Sequence, residues 1–192
     1  DQAAFRVGEK VALIGCGFMG LMLAQLIGRT QTIKSLALDL NPSRLEIARG
    51  FGVQHAYNPS DPDGAYLSQI NDTFDVVIDS TGAQKGLILA SSLLRIGGRL
   101  VLFGWNHGNT PFPGDAWHLK GLTVINAAPG SAPNLKSYFD RAVRLIGEHR
   151  IDLKPLVTGV RPYRELPELL EAGIEHSNGY IKGVVTYEPQ TA

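Results

Sequence analysis

Lys10-Val-Ala-Leu-Ile-Gly-Cys-Gly-Phe-Met-Gly20 sets a strand-like apolar run directly against the spacing G-x-G-x-x-G at Gly15, Gly17 and Gly20, and the next apolar run closes on Asp39. A strand before the glycines, an apolar helix after them and an acidic residue about 20 positions on make a dinucleotide-binding signature. In such a unit Gly15 permits the tight turn, Gly17 lets the backbone approach a pyrophosphate, and Gly20 lets the helix pack closely on the strand. The free amides of the helix N-terminus then meet the phosphates with the positive end of the helix dipole, without a cationic side chain. Asp39 narrows the cofactor to NAD, because a carboxylate at the end of the second strand accepts hydrogen bonds from the ribose hydroxyls and repels the extra phosphate of NADP. Arg44, five residues later, reads either as a lid over the adenosine or as an exposed arginine on a helix surface.

Around this unit, β-like runs alternate with helices. Met19, Met22, Leu23, Leu26 and Ile27 recur at helical spacing and predict an apolar core face after the glycines. Leu36-Ala-Leu-Asp39 predicts the second strand, and Asn41-Pro42 supplies an N-cap and first turn for a helix running to Gly50. Val53–Tyr57 and Phe74–Asp79 follow as strands. A helix to Leu94, a turn at Gly97-Gly98 and a strand Arg99–Phe103 come next. Trp105–Lys120 has two prolines, two glycines and two asparagines in 16 residues without usable periodicity, and is expected to be a long functional loop. Leu122–Asn126 gives a sixth strand, and Leu135, Phe139, Ala142, Val143 and Ile146 form one helical stripe. The tail adds Leu153–Val157, a helix over Leu166–Ile174 and a strand over Ile181–Tyr187. Near-continuous apolar strands joined by helices predict an α/β Rossmann fold, a doubly wound six-stranded parallel sheet with helices on both faces.

Composition bounds the function. Lys plus Arg equals Asp plus Glu at 18 each, with the basic residues scattered, so no electrostatic footprint for nucleic acid or an anionic membrane is present and a small-molecule partner is expected. No apolar run reaches the roughly 18 residues of a membrane span and no signal-peptide pattern opens the chain, so a cytoplasmic protein is expected. Cys16, the single cysteine, excludes an internal disulfide and reads as a small filler in the glycine turn. The five histidines, His55, His107, His118, His149 and His176, have no compact ligand spacing, so no metal site is expected from this chain. His118, beside Trp117, reads as a surface histidine or as a lining of a substrate channel. No tyrosine is followed by lysine four residues later, which removes the catalytic pair of short-chain dehydrogenases.

Beyond the glycine turn, the runs 7–15, 38–48, 74–82 and 97–104, with Pro155-Leu-Val-Thr and Gly179-Tyr-Ile-Lys-Gly-Val-Val near the end, resemble the medium-chain dehydrogenase/reductase superfamily, in its zinc-type alcohol and polyol dehydrogenase branch. The resemblance covers nearly the whole chain. It implies that residues 1–192 are the NAD-binding domain with the C-terminal helix and strand of the family, and that a GroES-like catalytic domain carrying zinc is missing; Asp1 is not an initiator, as expected of an excised half. It implies pyrophosphate contacts from the amides of Gly17, Phe18 and Met19, ribose recognition by Asp39, and cofactor contacts near Ser80, Thr81 and Gly82. Phe103, Gly104 and Trp105 would flank the nicotinamide ribose, with Ala127–Pro129 near the carboxamide. Lys182 falls where many members place a basic residue reaching the pyrophosphate, an exposed lysine being the alternative. Where members often have a histidine after Val-Thr, this chain has Gly159. No catalytic residue is expected within the chain. The resemblance further implies hydride transfer between an alcohol and NAD in an intact enzyme, inactivity of the chain alone, and a homodimer through the sheet edge at Leu122–Asn126, with the missing domain as the other possible cover. A non-catalytic nucleotide-binding sensor or assembly module is the alternative function, and a methyltransferase a weaker third.

Overall fold

The computed structural model describes residues 2–61, 65–175 and 179–187, so His176 lies outside the described residues. The chain divides into two compact units, Asp1–Arg144 and Leu145–Ala192. The first unit is built on β1 (Lys10–Ile14), β2 (Lys34–Leu38), β3 (His55–Tyr57), β4 (Phe74–Asp79), β5 (Leu94–Leu102) and β6 (Thr123–Asn126). All six pair in parallel in the order β3-β2-β1-β4-β5-β6. This order reverses between β1 and β4, and the crevice outside the carboxyl ends of the strands at such a reversal is where open α/β sheets bind ligands. β1, β2 and β4 are buried along almost their whole lengths, as expected of a parallel sheet covered on both faces, which accounts for their unbroken apolar runs. Phe74, Leu13, Leu36, Leu38, Leu93 and Leu100 are among the largest fully buried side chains.

Helices α1 (Phe18–Ile27), α2 (Pro42–Gly50), α3 (Ala65–Ile70), α4 (Gln84–Leu93), α5 (Gly114–Lys120) and α6 (Leu135–Gly147) connect and follow the strands. The Asn41 side chain caps α2 by accepting the Ser43 amide at 3.0 Å, with Pro42 in the first turn, as the sequence predicts. Several expectations are corrected. The buried face of α1 is Gly20, Leu21, Ala24, Gln25 and Ile27; Met19 is about half exposed, because close packing of Gly20 on the Gly15 carbonyl rotates the helix away from the face its apolar spacing suggests. Trp105–Lys120 is not wholly irregular. Its second half is α5, anchored on α4 by the Trp117 indole N–H, which donates to Ser91 Oγ at 2.7 Å, and by Lys120 Nζ, which donates to the carbonyls of Ser91, Ser92 and Leu94. Lys120 thus caps the end of α4 and pairs with Asp72 at 2.6 Å, while Gly121 ends α5 in a left-handed conformation. The stripe Leu135, Phe139, Val143 and Ile146 on α6 is largely exposed.

In the second unit, β7 (Val157–Pro162) and β8 (Lys182–Thr186) pair in parallel, with α7 (Leu166–Ile174) between them in sequence. Within Leu153–Val157 the chain forms a 3-10 turn, Lys154–Leu156, leading into β7; Pro155 fixes that turn and removes an amide a strand would need. Leu169 of α7 packs on Gly159 and Gly183. A Cβ at Gly159 would stand 2.7 Å from Leu169 Cδ1, so the glycine found where a histidine is common makes room for that leucine.

Candidate cofactor site

At the carboxyl end of the sheet, Gly15 leaves β1 with φ +91°, and its amide donates to the Leu38 carbonyl at 2.8 Å, joining the turn to β2. A Cβ here would stand 2.8 Å from Thr81 Cγ2 and 2.9 Å from Ser80 Oγ, and a Cβ on Gly20 would run into the Gly15 carbonyl. Gly17 differs, because nothing lies within 4 Å of the place its Cβ would take. The two outer glycines are therefore required by packing and the middle one keeps space open. Gly17 also begins α1 with no side-chain cap and no acidic residue in the first turn. An open cradle at a helix N-terminus without a side-chain cap, with glycine at its closest approach, fits a pyrophosphate.

Asp39 stands beside this cradle. Its Oδ2 accepts the Cys16 amide at 2.6 Å and its Oδ1 accepts the Asn41 amide at 2.8 Å, so the carboxylate holds the glycine turn to the start of α2 and each oxygen retains acceptor capacity. The Cys16 thiol is buried and pushed up to about 12, first by burial and then by the Asp39 charge, with Arg44 opposing. It is an inert filler, as its place in the turn predicts. Arg44, on α2, is half-buried rather than fully exposed.

The opposite wall comes from the loops after β4 and β5. Ser80 Oγ donates to the Ile14 and Gly15 carbonyls at 2.9 and 2.6 Å, latching the β4 loop to the glycine turn. Gly82, at φ +65°, is pressed against Trp105, whose carbonyl oxygen a Cβ would meet at 2.5 Å. A Cβ on Gly104 would run into the Gly82 nitrogen and meet the main chain of Ser80 and Thr81 at 2.9 Å. Phe103 and Gly104 both donate their amides to the Asp79 carbonyl, at 2.9 and 2.8 Å. Ala127 follows from β6, its amide on the Leu102 carbonyl at 2.9 Å, and leads to Ala128 and Pro129. Trp105 is exposed and stacks on His107 with centroids 4.5 Å apart. An apolar groove of about 270 Å³ adjoins this wall, lined among others by Leu23, Leu26, Phe103, Ala127 and Pro129.

Gly15, Gly17, Phe18, Met19, Gly20, Asp39, Ser80, Thr81, Gly82, Phe103 and Gly104 thus follow the carboxyl ends of β1, β2, β4 and β5 in the first unit, while Arg44 lies on α2 of the same unit. Lys182 belongs to the second unit, where it opens β8 with an exposed side chain. His118 is exposed in the last turn of α5, in agreement with a surface histidine. Among the described residues no three His, Cys, Asp or Glu side chains gather as metal ligands, and no helix is long and apolar enough to cross a membrane. The sequence reading passed over Asp79, although an aspartate two residues before a threonine at a strand end is the pattern of a side chain that hydrogen-bonds the backbone two residues on.

Comparison with known proteins agrees with this geometry. Residues 15–148 match the family described as zinc-binding dehydrogenase. The probable D-xylulose reductase A of Aspergillus terreus is 30% identical over 171 residues, 85% of this chain and 47% of that protein. The L-galactonate-5-dehydrogenase of Escherichia coli (strain K12) is 29% identical over 189 residues, 97% of this chain and 54% of that protein. Among solved structures, the alcohol dehydrogenase TADH from Thermus sp. ATN1 is similar with a TM-score of 0.81 at 27% identity, covering 97% of this chain and 54% of that one. The chain spans about half the length of the relatives it matches.

Proposed function

The chain belongs to the zinc-binding dehydrogenase family, and we propose that it is the NAD-binding part of a longer alcohol or polyol dehydrogenase, inactive by itself. The observation that carries this is the Gly17 cradle beside Asp39: an open helix N-terminus without a side-chain cap, with a carboxylate bonded to the preceding amide of the same turn, that of Cys16. In this reading the amides of Gly17, Phe18 and Met19 hold the pyrophosphate, Asp39 holds the adenosine ribose and disfavours a 2′-phosphate, and Arg44 covers the adenosine. Ser80, Thr81 and Gly82 line the middle of the cofactor, and Phe103, Gly104 and Trp105 flank the nicotinamide ribose. Bound NAD supplies a hydride acceptor. The contribution of these residues is to bind it, fix its orientation and so convert encounter with an alcohol into a positioned reaction. A zinc ion, with its ligands, belongs to a catalytic domain outside residues 1–192, where it would act as a Lewis acid on the alcohol oxygen. The buried lone thiol suits a reducing compartment, and a cytoplasmic protein is inferred.

A homodimer is part of the same proposal. β6 is the last strand of its sheet, and its outer edge carries unpaired main-chain groups that a second copy would satisfy. Sedimentation of the chain at several concentrations tests this: a dimer broken by Val124→Lys supports it, and a monomer at tens of micromolar, or a dimer indifferent to that charge, opposes it.

Calorimetric titration of the chain with NADH and NADPH tests the cofactor assignment. Tighter NADH binding is expected, and equal or tighter NADPH binding would refute it.

A further inference from the structure

Asp79 closes β4 with no exposed surface. Its Oδ1 accepts the Thr81 amide at 2.9 Å and the Thr81 hydroxyl at 2.6 Å, and Thr81 Oγ1 in turn accepts the Ala83 amide at 3.1 Å. The other oxygen, Oδ2, is buried without a hydrogen-bond partner. Packing alone would favour an apolar residue here, because a buried carboxyl with an unsatisfied oxygen is costly. What the carboxyl achieves is local. It bends the chain after β4 into the turn that carries Ser80, Thr81 and Gly82 and leads it to the start of α4, whose Gly86 lies so close that a Cβ would reach 3.0 Å from Oδ1. The Asp79 main-chain carbonyl meanwhile takes the Phe103 and Gly104 amides. One residue therefore sets both loops, and Ser80 passes that setting to the glycine turn through its bonds to Ile14 and Gly15.

In a sheet of this strand order each half receives one mononucleotide, and the loops after β4 and β5 belong to the half that receives the nicotinamide. We propose that Asp79 is a positioning residue of the cofactor site: without touching the ligand, its carboxyl holds the loops 80–82 and 103–104 in the shape that receives the nicotinamide half of the dinucleotide. This rests on the proposed cofactor-binding role of the chain.

The test uses the 192-residue chain, with NADH and with AMP, which fills only the adenosine half; affinities are measured by calorimetry and folding is checked by circular dichroism. Asp79→Asn keeps an acceptor at Oδ1 and is expected to hold both affinities within about twofold. Asp79→Ala removes the acceptor and is expected to weaken NADH about tenfold while AMP changes by less than about twofold. Should the alanine variant not fold, Asp79→Ser, polar but too short to reach Thr81, is expected to show the same split. Unchanged NADH binding in a folded Ala or Ser variant, equal losses for NADH and AMP, or an Asn variant as impaired as the Ala variant would overturn the positioning role and leave cofactor binding standing. Failure of the parent chain to bind either ligand would overturn both.

Discussion

The Asp39 carboxylate and the Cys16 amide, 23 residues apart in sequence, meet at 2.6 Å across the ends of β1 and β2. The residue expected to recognise a ribose therefore also holds the turn expected to receive the phosphates, so the two halves of that recognition are mechanically one.

Replacing Asp39 accordingly affects both. Asp39→Ala is expected to weaken NADH binding at least about tenfold, the worth of one or two charge-assisted hydrogen bonds. NADPH binding should fall less, because the repulsion of its extra phosphate disappears with the charge. The NADH-to-NADPH affinity ratio, read by calorimetry, should collapse toward one; an unchanged ratio would show that Asp39 does not select the cofactor.

The glycines separate packing from binding. Gly20→Ala forces a methyl group into the Gly15 carbonyl and is expected to destabilise the fold by about 2–3 kcal/mol or prevent folding. Gly17→Ala, at φ −68° with open space around it, should unfold in denaturant within about 1 kcal/mol of the parent yet bind NADH much more weakly, because its methyl group occupies the phosphate approach. Denaturant titration beside NADH titration checks the pair, and normal NADH binding by Gly17→Ala would count against a phosphate in that space.

Much of this site was legible in the residues, and what was not has identifiable causes. Gly15, Gly17, Gly20 and Asp39 announce themselves because each meets a backbone requirement at fixed spacing, and the six strands because burial on both faces leaves apolar runs. The helix α5 was hidden because Trp117 and Lys120 earn its stability from partners on α4, about a quarter of a hundred residues earlier in sequence, rather than from periodicity. Met19 was misassigned because the close approach of Gly20 to β1, not hydrophobic spacing, sets the rotation of α1. The Asp39 bond to Cys16 is a meeting of two loops that no local pattern encodes.

Two buried carboxyls, Glu9 and Asp79, and the partly buried Asp75 give the stability a pH dependence of mixed sign. Burial pushes Glu9 up, but the hydrogen bonds from Arg99 and the Arg6 amide and the Arg99 charge outweigh it, holding Glu9 below its usual value of 4.5. Burial likewise pushes Asp75 up, and is outweighed by the Lys10 amide and Arg95, leaving it below 3.8. Both contribute stability that is present above those unfolded values and lost as pH falls through the lower folded ones. Asp79 runs the other way: burial, only partly opposed by Thr81, raises it above 3.8. Its contribution is fully present below 3.8 and is lost as pH rises through the raised folded value. Thermal unfolding against pH should therefore show Asp79→Asn gaining on the parent as pH rises from 3.8 toward neutrality. A difference between the two that stays constant with pH would contradict this assignment.

Backbone amide shifts of the nitrogen-15-labelled chain during titration with NADH test most directly whether this cradle holds the cofactor. Saturable shifts are expected at Cys16, Gly17, Phe18 and Met19, at Asp39, and at Ser80–Gly82 with Phe103 and Gly104, all following one binding curve. Saturable binding that leaves Gly17–Met19 and Asp39 unmoved, or the absence of any shift at millimolar NADH, would contradict it.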